Sequence, residues 1–286
     1  MRDPDDMAHL YTGLTTVHAQ PQPSSDILAT IFAKRQEDVA AQKALPGRSP
    51  ADLQALLSLS VAPEPLDFVA RLQSPTMAVL AEVKRASPSK GDIAANAAVE
   101  YAQAGAAAIS VLTEPHWFKG SIDDLRDVRL AVGALENRPA VLRKDFIFDK
   151  YQIAEARLAG ADSVLLIVKM LSKAQLKSLL AYSRELAMEP LVEVNNAEEM
   201  AVATEVGAKV VGVNNRNLRT FDVDIGNTKQ LADKVAPGTV LVALSGIATP
   251  ADASIYANTG VGAVLVGEAL MRTDDKQAFI SGLQQI

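Results

Sequence analysis

Cysteine is absent from the 286 residues, histidine occurs three times and tryptophan once. Without cysteine there is no disulfide, no thiolate nucleophile and no thiolate-bound zinc. Positive charge is also scarce: 28 Lys plus Arg stand against 34 Asp plus Glu, a net charge of −6. A nucleic-acid binder relies on a basic footprint, and the chain as a whole has none. Long apolar runs are missing, since Val164–Val168 ends at Lys169, far short of the ~20 residues a membrane-spanning helix needs. The opening Met1-Arg2-Asp3-Pro4-Asp5-Asp6 has no apolar stretch behind it and does not read as a secretory signal. Neither nucleic acid nor membrane is therefore expected as a partner, and a soluble, cytoplasmic protein is. What is present is ordinary globular composition, 49% apolar and 22% charged. The length suits two domains of roughly 150 residues or one α/β barrel of about 250.

Residues 1–25 end in Val17-His18-Ala19-Gln20-Pro21-Gln22-Pro23-Ser24-Ser25 and read as a flexible tail or inter-domain linker. Residues 26–286 read as a single domain, with extension helices over 26–77. Ser24, Ser25 or Asp26 can cap a helix from Ile27 to Lys43. Its Ile27, Leu28, Ile31 and Phe32 lie on one stripe of a 3.6-residue period. Pro46-Gly47 stops it, and a second helical stretch follows from Pro50 to Leu59.

From residue 78 the pattern changes. Short β-branched runs appear at Ala78–Lys84, Ala107–Thr113, Ala140–Phe146, Ser163–Val168, Pro190–Asn195, Val210–Asn215, Leu241–Gly246 and Ala263–Glu268. Helical stretches such as Ser172–Ala187 and Ala197–Val206 lie between them, so the units are βα and the sheet is parallel. Gly105-Ala106, Gly160-Ala161, Gly207-Ala208 and Gly260-Val261-Gly262-Ala263 precede the second, fourth, sixth and eighth runs. Glycine there ends a helix in a left-handed cap. A doubly wound sheet more often has five or six strands with a glycine-rich turn after the first. The expected fold is a TIM (β/α)8 barrel with an N-terminal helical extension.

In such a barrel, chemistry collects where strands end. Glu82 and Lys84 close the first strand on the same face, Lys144 comes late in the third, and Glu193 sits among apolar neighbours in the fifth. One charge at a strand end is more often solvated, or an ion pair bracing the barrel, than catalytic. Four in one enclosed mouth must pair with each other or contact a ligand, because unpaired burial costs several kcal/mol. Ser245-Gly246 and Gly267 follow the last two strands, where many barrels bind phosphate through backbone N–H groups. Tight turns alone also explain those glycines. Glu268 opposes an anion there if its side chain points inward and is neutral if it merely opens a helix.

At these residues the chain closely resembles indole-3-glycerol-phosphate synthase. Glu82-Val83-Lys84-Arg85-Ala86-Ser87-Pro88-Ser89 is similar to the family's E-x-K-x-x-S-P-S motif. Ser110–Pro115, Trp117-Phe118-Lys119-Gly120, Leu142–Phe146, Leu191–Val194 and Gly212–Leu218 add further matches. The resemblance implies a carboxy-lyase of tryptophan biosynthesis. It would close the indole ring of 1-(2-carboxyphenylamino)-1-deoxyribulose 5-phosphate with loss of CO2 and water. No metal or organic cofactor is implied. By position, Lys144 resembles the general acid; Glu193, Glu82 and Lys84 resemble the groups for the later proton transfers. Ser87, Phe118, Phe146, Asn214 and Arg216 match substrate-contacting positions, and Ser245, Gly246, Gly267 and Glu268 fall on the phosphate-binding turns.

One position departs from the family. Leu244-Ser245-Gly246 stands where the family usually has Glu-Ser-Gly, so Leu244 replaces the carboxylate, a variant that resembles fungal members. Those members carry the synthase in a longer chain, beside an amidotransferase and a phosphoribosylanthranilate isomerase, so fusion to such domains is expected. With leucine there, Lys144 is expected to titrate lower than in members with the carboxylate. Two other readings stand beside this one: a Schiff-base aldolase with Lys144 as its nucleophilic amine, and a catalytically silent docking domain. The sister isomerase commonly uses a cysteine base, which this chain lacks.

Overall fold

The computed structural model describes residues 27–83, 93–216 and 222–286. Lys84 and Ser87, the 1–25 segment and the cap candidates Ser24, Ser25 and Asp26 lie outside them. The extension consists of α1 (Ile27–Lys43), α2 (Pro50–Ser58) and α3 (Phe68–Leu72). Eight parallel strands follow: β1 (Ala78–Val83), β2 (Ala108–Leu112), β3 (Ala140–Lys144), β4 (Ser163–Ile167), β5 (Leu191–Val194), β6 (Val210–Asn214), β7 (Val240–Leu244) and β8 (Val261–Val266). Each pairs with the next, and β8 returns to β1 through Ala78↔Ala263 to close a TIM (β/α)8 barrel. The connecting helices are α4 (Ile93–Gln103), α5 (Ile122–Val132), α6 (Lys150–Leu158), α7 (Lys173–Glu185), α8 (Ala197–Glu205) and α9 (Gly226–Leu231). A 3-10 segment, Pro250–Tyr256, joins β7 to β8, and α10 (Glu268–Arg272) and α11 (Lys276–Gln284) complete the chain. Among the described residues no helix is long and apolar enough to cross a membrane.

Strand alternation divides the core into two shells. Leu80, Leu142, Leu165, Leu191, Val242 and Leu265 fill the barrel interior, while Val79, Val141, Val164, Val192 and Val264 face the helices. Both faces are buried, which is why the strands read as continuous apolar runs. Phe68 and Leu72 of α3 join the inner cluster with the strand-start residues Ala78, Ala108, Ala140 and Val240. That helix plugs the N-terminal end, leaving the C-terminal end for chemistry. The four recurrent glycines, Gly105, Gly160, Gly207 and Gly260, all have left-handed backbones, with φ from 75° to 94°.

The differences from the expected elements have local causes. β3 stops at Lys144 rather than Phe146 because the Asp145 carboxylate takes the Phe146 N–H at 2.8 Å. β8 begins at Val261, two residues early, with Leu241 opposite Val261 and Val242 opposite Ala263. Gly262 is the extra residue of that bulge, a common place for glycine in a strand. The short α3 was hidden by Pro63 and Pro65 just before it, although Asp67 caps it by accepting the Ala70 N–H.

Candidate active site

Glu82, Lys144, Glu193 and Asn214 end their strands or nearly so, at inward-facing positions of β1, β3, β5 and β6. Lys144 Nζ lies 3.4 Å from Glu82 Oε2. Asn214 Nδ2 donates to Glu193 Oε1 at 2.9 Å, while its Oδ1 accepts the Arg216 N–H at 3.0 Å. The amide is thereby fixed with its donor end toward Glu193. Lys144, Glu193 and Asn214 share a cleft with Phe118, Phe146, Leu112, Leu165 and Ile167. Polar reacting groups in an apolar-walled cleft are the usual composition of a small-molecule site.

Burial works against the Lys144 ammonium, but the Glu82 and Glu193 carboxylates outweigh it and hold the amine above the usual lysine range. With Leu244 in place, the two remaining glutamates suffice to raise Lys144 above the ordinary lysine value. Glu193 is 4% exposed. Burial pushes its carboxyl above the usual range, outweighing Lys144 and the Asn214 bond, which favour the carboxylate. The cleft thus holds a cation that keeps its proton beside a carboxyl with a raised affinity for one.

The aromatic wall is built from two loops. The Phe118 and Phe146 rings lie 6.2 Å apart, tilted by 37°. Phe118 is held by Glu114, a fully buried carboxylate accepting the N–H groups of His116, Trp117 and Phe118 at 2.7, 2.7 and 2.9 Å. Gly120 closes this loop so tightly that a Cβ there would lie 1.9 Å from the Leu112 carbonyl oxygen. Phe146 follows Asp145, whose buried carboxylate is held below the usual range by Arg143 and Arg35 against the cost of burial. The motifs Ser110–Pro115 and Leu142–Phe146 contain Glu114 and Asp145, but residue type alone assigns neither a role. Each lies just past the end of an apolar strand, Glu114 after β2 and Asp145 after β3, and its donors are backbone N–H groups or side chains remote in the chain.

The turns after β7 and β8 form the other side of the mouth. Ser245 and Gly246 are consecutive left-handed residues, with φ of 66° and 92°, and a Cβ on Gly246 would come within 2.6 Å of Val223. A Cβ on Gly267 would meet Glu82 Oε1 at 2.8 Å, so this turn touches the Lys144 pair directly. Glu268 points to solvent and pairs with Arg272, opening α10. Arg216 is half-buried, its backbone bridged to Val223. Leu244 is buried, its Cδ1 in the space where a side chain on Gly212 would stand. Lys84 and Ser87 lie outside the described residues.

A closed parallel barrel with its titratable side chains gathered at the C-terminal end defines a (β/α)8-barrel enzyme. Residues 28–283 match the family described as indole-3-glycerol phosphate synthase. The chain belongs to that family and is an enzyme of the lyase class. It is 59% identical over 258 residues to the multifunctional tryptophan biosynthesis protein of Schizosaccharomyces pombe, covering 88% of this chain and 34% of the relative. The corresponding protein of Phycomyces blakesleeanus is 57% identical, covering 92% and 35%. The chain thus spans about a third of the length of these fungal relatives. An indole-3-glycerol phosphate synthase of Dehalococcoides mccartyi is 46% identical over 230 residues, 79% of this chain and 88% of the relative. The solved structure of 3-hexulose-6-phosphate synthase from Salmonella typhimurium matches with a TM-score of 0.60 at 16% identity, over 73% of this chain and 97% of that one. That likeness is one of fold.

Proposed function

We propose that the cleft converts 1-(2-carboxyphenylamino)-1-deoxyribulose 5-phosphate to indole-3-glycerol phosphate, with Lys144 as the general acid. The observation that carries this reading is the Lys144 ammonium, 3.4 Å from Glu82 and in the field of Glu193, at an apolar-walled cleft. The ring carbon bearing the carboxylate attacks the keto carbon, and the displaced carbonyl pair takes a proton from Lys144 Nζ. Loss of CO2 returns its bonding pair to the benzene ring. The new hydroxyl then leaves as water as the neighbouring carbon gives up a proton, forming the pyrrole double bond. Glu193, with its raised proton affinity, suits the accepting role in these later steps, together with Glu82 and Lys84. The sequence of steps is redox-neutral and calls for no cofactor.

Ser87, Phe118, Phe146, Asn214 and Arg216 contact the substrate in this reading, the two rings walling the anthranilate. Its phosphate lies on the Ser245-Gly246 and Gly267 turns, with Glu268 directed away. The domain works in the cytoplasm, as the lack of cysteine supports. It works within a longer chain, beside amidotransferase and phosphoribosylanthranilate isomerase domains, as its one-third share of multifunctional relatives supports. A Schiff-base aldolase would need Lys144 as a free amine; the flanking carboxylates favour the ammonium and so the acid role. Incubation with the substrate tests the activity: indole fluorescence is expected to grow with turnover. A folded protein that produces none contradicts it.

A further inference from the structure

Arg35 is the charged member of the buried stripe Leu28, Ile31, Arg35 and Val39 on α1. Its guanidinium forks onto Asp145, Nε to Oδ1 at 3.0 Å and Nη2 to Oδ2 at 2.8 Å, with both side chains almost fully buried. The same carboxylate accepts from Thr113 Oγ1 at 2.8 Å, Arg143 Nη2 at 3.0 Å and the Phe146 N–H at 2.8 Å. Arg143 of β3 also supplies a cation to Asp145 but shares it with Glu155 at 2.9 Å, so the Arg35 charge helps to balance the cluster. Burying a second guanidinium adds a desolvation cost. What its fork adds beyond charge is geometry. A planar fork fixes the plane of the carboxylate, and Asp145 lies between Lys144 and Phe146 in the chain.

The same helix grips the other aromatic loop. Arg35 Nη1 donates to Asp38 Oδ2 at 3.2 Å, and that oxygen meets His116 Nε2 at 2.9 Å, two residues before Phe118. Thus α1 reaches the acid strand and both walls of the cleft.

We propose that Arg35 is a positioning residue for the reaction: through Asp145 it sets the strand end from which Lys144 meets the substrate. The inference rests on the assignment of Lys144 as the acid. A remote displacement of about 1 Å can cost a hundredfold in rate. Loss of the fork should therefore fall on kcat, while the anionic groups of the substrate keep their own contacts.

Steady-state kinetics of Arg35→Met and Arg35→Lys, with thermal unfolding to establish that each is folded, tests this. Arg35→Met should lower kcat about tenfold to a hundredfold and move KM by less than about threefold. Arg35→Lys restores the charge without the fork and should stay within about threefold of Arg35→Met. Should the methionine variant fail to fold, the lysine variant alone should show the same loss confined to kcat. A kcat within about twofold of the parent in a folded variant overturns the proposal. So does a KM rise equal to the kcat loss, or full recovery by lysine. Lys144→Met separates the two assignments: parent-like turnover there removes the acid, whatever Arg35 does. Loss there with an unaffected Arg35→Met removes only the positioning role.

Discussion

Glu193 combines two demands that pull against each other. A buried carboxylate is costly to the fold, yet a carboxyl with raised proton affinity is what a proton-accepting step needs. Because its folded pKa lies above the unfolded value, its protonated form contributes stability at low pH. That contribution is lost as pH rises through the folded pKa. Glu193→Gln keeps the shape and can still accept from Asn214, but it cannot ionise. The variant should match the parent in denaturant stability at pH 4 and exceed it at pH 8, while turnover falls by about a hundredfold or more. An identical stability difference at both pH values would show that Glu193 is not strained by its charge.

Among elements, the β2 loop is the clearest case of a short segment shaped by one side chain. Glu114 takes three successive N–H groups, so the path to Phe118 is set by a single buried carboxylate. Hydrogen bonds to a charged group contribute about 1.5–3 kcal/mol each. Glu114→Gln keeps the volume but puts a donor against those N–H groups. The expected result is a KM raised about tenfold, with a smaller change in kcat, because an apolar wall serves binding more than proton transfer. Steady-state kinetics with unaltered KM would remove Glu114 from the placement of Phe118.

How much of these elements could be read beforehand follows the range of the interactions. The eight strands and the glycine caps were legible because periodicity and left-handed caps are local properties. Lys144, Glu82, Glu193 and Asn214 were legible as strand ends, once the fold brought strand ends together. Arg35 was not, since its partner Asp145 is 110 positions away and helix periodicity marks that site as an apolar stripe. Glu114 was not, because backbone N–H groups leave no trace in residue type. The α3 plug is too short to read: five residues carry little periodicity, and the Asp67 cap with packing under the barrel keeps them helical.

At the scale of the molecule, the barrel separates stability from chemistry by its two ends. Arg138 and Asp162 pair twice at the N-terminal end, where Asp162 also accepts the Val141 and Leu66 N–H groups. The C-terminal end carries the Lys144 cluster. The net charge of −6 would repel the proposed anionic substrate at long range, so in this reading local cations and backbone N–H groups supply the attraction. Inorganic phosphate should accordingly inhibit in competition with the substrate, by occupying the Ser245-Gly246 and Gly267 turns. Non-competitive inhibition, or none, would contradict that placement.

The central claim is that Lys144 delivers the proton on which ring closure depends. The direct test is fluorimetric turnover by Lys144→Met, paired with its substrate affinity by equilibrium binding. A positioned general acid contributes about 10²–10⁴ in rate, so turnover should fall by at least about a hundredfold while affinity stays within about tenfold of the parent. Turnover within about threefold of the parent would contradict the account.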